Sequence, residues 1–376
     1  EQRSVETTLA LVAAARNINI AAARGIKMKT DVCRVLPGQA EALEKAAKIL
    51  QEGGLVAFPT ETVYGLGANG LSGDACKKIY EAKGRPSDNP LILHIADLAQ
   101  LPQIVCQVPP KAKQLMEAFW PGPMTLILPK TALVPDTVTG GLTTVGVRFP
   151  SHPVAQALIR AANLPIAAPS ANLSGRPSPT EAAHVLHDLN GKIPLILDGG
   201  PCEVGLESTI IDATGPEAVI LRPGAITKEM IEALLGRAEV DPAVMGQMAP
   251  GMTPRAPGMK YTHYAPKANV TVVRGSREKV IDTINARTAC DRACGKKVAV
   301  LATEENRQNY QADNVFSLGR QEDLCQVGAS LFLLLRRCDE VGADQVYAEG
   351  FLEQGEGLAI MNRLRKAAGG EILEVD

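Results

Sequence analysis

Aromatic residues make up 3% of this 376-residue chain, with a single tryptophan. That scarcity leaves little on which nucleic-acid bases could stack in succession. No apolar run approaches the roughly 20 residues a helix needs to cross a bilayer, so no membrane span is expected. Neither sign of charge dominates: 39 Lys and Arg against 41 Asp and Glu give a formal net charge of −2. Bulk charge therefore supplies no footprint for nucleic acid, and any RNA contact has to come from a local patch. Eight cysteines stand at 33, 76, 106, 202, 290, 294, 325 and 338, with no CxxC pair and no histidine at zinc-like spacing. That pattern reads as reduced thiols of the cytosol rather than a disulfide framework or a metal site. The phosphate loop GxxxxGK[ST] and the GxSxG nucleophile elbow are both missing. With His94, His152, His184, His187 and His263 scattered, nucleophilic catalysis has no evident base.

What is present is a soluble globular composition, 45% hydrophobic and 21% charged, on a chain long enough for two or three domains. The organising stretch runs from Leu55 to His94. Apolar runs at Leu55–Phe58 and Leu91–Ile95 bracket a segment crowded with Gly, Thr, Lys and Arg, where an α/β fold places groups that hold an anion. Helical periodicity predicts helices over 37–51, 72–82 with Ser72 as cap, 111–119, 154–162 and 180–189. Strands are expected at 124–128, 144–149, 166–168, 195–197, 209–211 and 219–221. Their irregular alternation with helices predicts a mixed rather than purely parallel sheet. From 237 to 268 the sequence turns Pro-rich with little periodicity, the chemistry of a semi-rigid linker. Strands at 270–273, 298–301 and 345–347, with helices near Glu278, at 324–337 and at 357–367, predict a small α/β unit over 269–376. The Ala-rich residues 1–30 read as a poorly ordered extension, with Met28 as a natural start; Glu1 and Glu6 spoil the acid-poor signature of a targeting peptide.

Several motifs carry chemistry. Gly65-Leu66-Gly67-Ala68-Asn69-Gly70 has the spacing of the dinucleotide fingerprint, but six residues separate Phe58 from Gly65 and the helix begins only after Gly70. The glycines therefore read as turn positions. Lys83, Arg85 and Asn89 lie between a helix end and a strand; a basic pair there can complement the helix dipole or bind an anion. Arg148 closes an apolar strand, a place that suits bidentate binding of a carboxylate or phosphate. Pro169-Ser170-Ala171-Asn172-Leu173-Ser174-Gly175 offers hydroxyls and amides, or a plain polar turn. Glu207-Ser208-Thr209 opens a strand, and Arg222-Pro223-Gly224 closes another.

Taken together, Pro59-Thr60-Glu61-Thr62-Val63-Tyr64-Gly65, Lys83-Gly84-Arg85-Pro86, Pro121-Gly122-Pro123-Met124-Thr125, Val147-Arg148-Phe149-Pro150, Pro169-Ser170-Ala171-Asn172, Glu207-Ser208-Thr209, Leu221-Arg222-Pro223-Gly224, the run 256–266 and Ala359-Ile360-Met361-Asn362-Arg363-Leu364 resemble the threonylcarbamoyl-AMP synthase family in its long form. The resemblance implies an α/β fold: a YrdC-like twisted mixed sheet flanked by helices at 31–236, a linker at 237–268 covering the site, and a small Rossmann-like domain at 269–376. It implies condensation of L-threonine, bicarbonate (or CO2) and ATP to threonylcarbamoyl-AMP and pyrophosphate, with magnesium on the ATP, in the cytoplasm. The product would pass to tRNA-modification machinery, with at most a weak RNA contact by this chain. Thr62, His94, Arg148, Ala168 and Ser208 would hold threonine. Lys83, Arg85, Asn89, Thr144, Ser170, Ser178, Arg222 and Tyr264 would contact ATP. No side chain is assigned as nucleophile, and metal ligands stay unassigned. Thr262 stands where the family often has a basic residue, a role Lys260 could take over. The rival readings are a non-catalytic RNA- or ribosome-binding module and carbamoyl transfer to a thiol; the latter lacks the acylphosphatase and zinc-finger segments that accompany it elsewhere.

Overall fold

A computed structural model describes residues 28–35, 40–244, 246, 254–258 and 264–376. The extension expected over 1–30 falls almost wholly outside the described residues, as do the expected helix start at Pro37 and the linker positions Lys260 and Thr262.

The larger sheet has eleven strands: β1 (Asp31–Arg34), β2 (Val56–Phe58), β3 (Gly65–Asn69), β4 (Ile92–His94), β5 (Met124–Pro129), β6 (Thr144–Arg148), β7 (Ile166–Ala167), β8 (Leu195–Asp198), β9 (Thr209–Asp212), β10 (Val219–Arg222) and β11 (Glu239–Val240). Their order across the sheet is β1-β8-β2-β3-β7-β4-β6-β5-β9-β10-β11. Parallel and antiparallel pairs alternate irregularly, so the sheet is mixed as expected. Period-two alternation sends neighbouring side chains to opposite faces. On β2, Ala57 joins one core with Ile79 of helix Gly73–Lys83. Val56 and Phe58 join another with Leu50 of helix Glu41–Gln51 and Leu158 of helix Pro153–Ala162. Both faces are therefore covered, which is why the central strands read as unbroken apolar runs. Ser72 caps its helix by accepting the Ala75 N–H at 3.2 Å, and Gly84 ends that helix in the left-handed conformation, as sequence rules require.

The glycine-rich stretch is the main correction. Gly65 and Gly67 lie within β3, antiparallel to β2, and neither has a positive φ. Room decides these residues: a Cβ on Gly67 would come within 2.8 Å of Ile166 and 2.9 Å of Phe58, and one on Gly70 within 2.5 Å of Leu93. Close strand-to-strand approach explains Gly67, whereas Gly70 does stand in the turn after β3, selected there by tight packing rather than by a positive φ.

The smaller sheet is wholly parallel, with β12 (Asn269–Gly275), β13 (Val298–Thr303), β14 (Asn314–Gly319), β15 (Gln345–Glu349) and β16 (Ile372–Val375) in the order β14-β13-β15-β12-β16. Helices Leu324–Glu340 and Glu356–Ala367 cover one face, and Val280 and Ile284 of helix Arg277–Ala293 pack on the other. β14 and β16 were not foreseen; both are half-buried edge strands whose sequences carry little alternation. The segment between the sheets is less of a free linker than its composition suggests. β11 adds to the large sheet beside β10. Ala256 is fully buried against Ile92, Ile127, Ile210 and Leu221, and Arg255 pairs with Asp212 at 2.9 Å and Asp241 at 2.5 Å. Among the described residues no helix is long and apolar enough to cross a membrane, and all eight cysteines are free thiols.

Candidate active site

A cleft of about 680 Å³ opens where strand ends of the large sheet meet the segment after β11. His94 and Arg148 come from the ends of the paired strands β4 and β6, which places them side by side in register. Ala168 and Ser170 follow β7, Ser208 precedes β9, Arg222 ends β10, and Lys83 and Arg85 flank the helix-ending Gly84. All eight line the cleft, and Tyr264 with Pro257 and Gly258 closes it. Four expected site residues are set back from the cleft wall. Thr62 is fully buried behind Arg148, whose Nη1 donates to its hydroxyl at 2.9 Å. Asn89 lends its backbone carbonyl to Arg85 Nε and Nη2 at 3.4 and 3.3 Å. Ser178 is buried and donates to Glu207 Oε1. Thr144 lines a smaller neighbouring cavity that shares Pro257 with the cleft.

Arg148 is the chemical centre. It is 4% exposed, and its Nη2 lies 2.7 Å from Oε1 of Glu61, yet Nε and Nη2 have no aligned hydrogen-bond acceptor among the described residues. Buried donors in that state call for a partner, and Arg148, unlike Arg176 and Arg336 whose Nε is also unpaired, lines the cleft. Burial alone would raise the Glu61 pKa; Arg148, with backbone donors from Glu61 and Ser151, outweighs it and holds the carboxyl below its ordinary range. His94 donates from Nδ1 to the Ile92 carbonyl, 3.1 Å away, assigning the ring proton to that nitrogen. Burial first, and the Arg148 charge second, push its pKa down to about 3, so the imidazole is neutral at physiological pH.

Ser208 Oγ lies 2.8 Å from Oγ1 of Thr125, the register partner of Arg148 on the neighbouring strand. Arg222 reaches the Ser208 carbonyl from Nε at 3.0 Å and its hydroxyl from Nη2 at 3.1 Å. Burial lowers the Arg222 pKa to about 10, and the group remains a cation. Lys83 Nζ donates to the carbonyls of Ser170 and Asn172 and, at 3.4 Å, approaches Asn172 Oδ1. Burial, with Arg85 beside it, pulls its pKa well below the usual lysine value. Its donors thus order the Ser170 loop before any ligand arrives. Tyr264 takes a positive φ of 70°, and the next residue donates its N–H to the Gly175 carbonyl at 3.0 Å. The Tyr264 ring stacks 5.0 Å from Phe332 of helix Leu324–Glu340.

Sequence reasoning left Glu61 without a role, although from the loop between β2 and β3 it pairs with Arg148 at the end of β6; a contact between positions so far apart in the chain leaves no local signal. It likewise missed the charges the smaller half sends across. Arg336 binds Asp188 through Nη1 and Nη2 at 3.1 and 2.8 Å, and Arg363 binds Glu207 at 2.9 Å.

A family model for Sua5, YciO and YrdC, described as telomere recombination, matches residues 48–224, and one described as the threonylcarbamoyl-AMP synthase C-terminal domain matches residues 226–369. Threonylcarbamoyl-AMP synthase of Bacillus subtilis (strain 168) is 53% identical over 91% of this chain and 97% of its own length. Its namesake from Pyrococcus abyssi is 52% identical over 88% and 95%. The solved structure of Pyrococcus abyssi Sua5 complexed with L-threonine superposes with a TM-score of 0.87 at 49% identity, covering 92% of this chain and 99% of that one. With both halves matched along nearly the whole length, this chain belongs to the threonylcarbamoyl-AMP synthase family in its long form.

Proposed function

We propose that the cleft condenses L-threonine, bicarbonate and ATP to threonylcarbamoyl-AMP and pyrophosphate, making the chain a nucleotidyltransferase whose product feeds threonylcarbamoyladenosine formation in tRNA. The observation that carries this reading is buried Arg148, whose Nε meets no acceptor among the described residues and whose Nη2, ion-paired with Glu61, keeps a second hydrogen to donate. A threonine carboxylate supplies the two oxygens that such a fork accepts. Thr62 and Glu61 hold the guanidinium from behind, neutral His94 and small Ala168 shape the pocket for the side chain, and Ser208 offers a hydroxyl.

Bicarbonate takes up a proton and loses water to give CO2; the neutral threonine amine adds to its carbon as one C–O π bond opens, and the nitrogen gives up a proton, leaving a carbamate. A carbamate oxygen attacks the α-phosphorus of ATP, the bond to the bridging oxygen breaks, and pyrophosphate leaves with that electron pair. No side chain has to become covalently attached. Two anions must be brought together and the charge developing on the phosphates must be met, which is electrostatic and positional catalysis. Arg85, Arg222, Ser170 and Tyr264 line the half of the cleft assigned to ATP. Lys83, Asn89 and Ser178 order that wall from behind, and Thr144 sits beside it for the nucleoside end. Among the described residues no group of three or more His, Cys, Asp or Glu is disposed to hold a metal. Magnesium is assigned as part of the nucleotide substrate, drawing its ligands chiefly from phosphate oxygens and water. The segment bearing Tyr264 shields the mixed anhydride from water.

The test is pyrophosphate release from ATP by the full chain, which should require L-threonine and bicarbonate together. Release without either co-substrate would overturn the reading. RNA binding with no release under any combination would point instead to a non-catalytic RNA-binding module.

A further inference from the structure

Helix Glu356–Ala367 belongs to the smaller half, but its Arg363 is fully buried in the larger one. Nε donates to Glu207 Oε2 at 2.9 Å, Nη1 to the Pro223 carbonyl at 2.7 Å and Nη2 to the Glu207 carbonyl at 3.4 Å. Nη1 is also 3.1 Å from Asn362 Oδ1, and the guanidinium carbon lies 5.8 Å from the Tyr264 ring centroid. Glu207 immediately precedes Ser208, Pro223 immediately follows Arg222, and Ser208 and Arg222 are themselves hydrogen-bonded across the cleft wall. One planar group therefore spans the two chain segments that carry that wall and touches the residue that closes the cleft. The remaining Glu207 oxygen accepts from Ser178.

We propose that Arg363 is a positioning residue for the condensation, through which docking of the smaller half sets the spacing of Ser208 and Arg222 under Tyr264. The inference rests on the reading of the cleft given above. A cation alone does not do this work. The spacing depends on a fork that reaches two segments at once, which an ammonium on a flexible stem cannot reproduce.

Arg363→Lys separates these roles, because it keeps a positive charge beside Glu207 and loses the bridge. The control is Asp339→Asn, which removes another ion pair between the halves, that with Arg176 at 3.0 Å, without touching the cleft wall. Positioning predicts that Arg363→Lys lowers kcat by about tenfold or more at saturating substrates while KM values move by less than about threefold. Asp339→Asn should keep kcat within about twofold of the parent, because neither Asp339 nor Arg176 lines the cleft and the asparagine oxygen can still accept the Lys267 N–H. A kcat for Arg363→Lys within that same margin, or an equal loss in Asp339→Asn, overturns the proposal and reduces Arg363 to a docking contact. If Arg363→Lys does not fold, the double variant Glu207→Gln with Arg363→Gln removes both buried charges together and is judged by the same kcat criterion. An unmodified chain that releases no pyrophosphate would instead reject the reading of the cleft, a result distinct from any difference among variants.

Discussion

Two buried arginines, one in each half, show what separates a site from a scaffold. Arg148 leaves Nε and Nη2 without aligned acceptors, whereas Arg363 places Nε, Nη1 and Nη2 all on protein oxygens. Burial is nearly complete for both. The smaller half repeats the satisfied pattern at Glu349, which accepts the Thr303 N–H at 2.8 Å and the Tyr310 hydroxyl at 2.5 Å. Desolvated charge is expensive in either place. In Arg363 the directional donors all fix packing; in Arg148 the charge is met by Glu61, and the Nε donor of this cleft-lining residue is left for a ligand.

The largest effect expected from testing that contrast is on threonine. Arg148→Ala should weaken L-threonine binding by about 100- to 10,000-fold, the worth of the two charge-assisted hydrogen bonds of the fork, and ATP binding far less. Calorimetric titration of each substrate checks it, and equal losses would break the assignment. Because the substitution also strands Glu61, Glu61→Gln with Arg148→Gln should reproduce the selectivity without that burden.

Next in size is the seam between the halves. Gly205 has a φ of +72°, and a Cβ there would sit 2.4 Å from Ala329 Cα. Gly205→Ala should destabilise the chain by about 2–5 kcal/mol, from left-handed strain plus overpacking against backbone. Urea unfolding measures it, and a change under about 0.5 kcal/mol, the range of an ordinary surface substitution, would mean that the two halves are not rigidly seated.

The smallest effect is acidic and should fall on one half. Residues 269–376 contain no histidine, whereas burial holds His94 at about 3 and His184 at about 4. His184 Nδ1 accepts the Thr180 N–H at 3.3 Å, a role that needs the neutral ring. Both folded values lie below the ordinary 6.5, so the unfolded chain takes up these protons first as pH falls. Stability should therefore drop below pH 6.5, by about 1–2 kcal/mol per histidine at pH 5. The carboxyls of Glu61, Asp188 and Glu207 are shifted down, and their contribution persists until pH falls through the carboxylate range. Trp120, the sole tryptophan, lies in the larger half and can follow its unfolding at pH 7 and pH 5. His184→Asn should remove part of the difference, and an unchanged midpoint would refute the buried-neutral assignment.

Much of this architecture could be read from sequence because most strands of the large sheet are buried on both faces and show as apolar runs; Met124–Leu128 is one. Arg148 was visible because a guanidinium at the end of such a run has no structural excuse. The misreading of Gly65–Asn69 has an equally definite cause: glycine that permits a turn and glycine that permits close strand packing look alike until the neighbours Ile166 and Phe58 are in place. The ion pairs Glu61–Arg148 and Glu207–Arg363 link positions far apart in the chain, so no local pattern announces them.

The order of strands also sets a timetable. β2 and β3 form a local hairpin, but β2's other neighbour is β8, which in turn carries β1. At roughly 5–20 residues per second of synthesis, the hairpin waits roughly 6–25 s for β8 to be made. Throughout that interval the side of β2 that will meet β8 remains an edge of unpaired backbone N–H and C=O groups on a nascent chain. The glycines that let β3 lie close to its neighbours thus belong to a hairpin whose free edge closes only when β8 arrives, before any substrate is met.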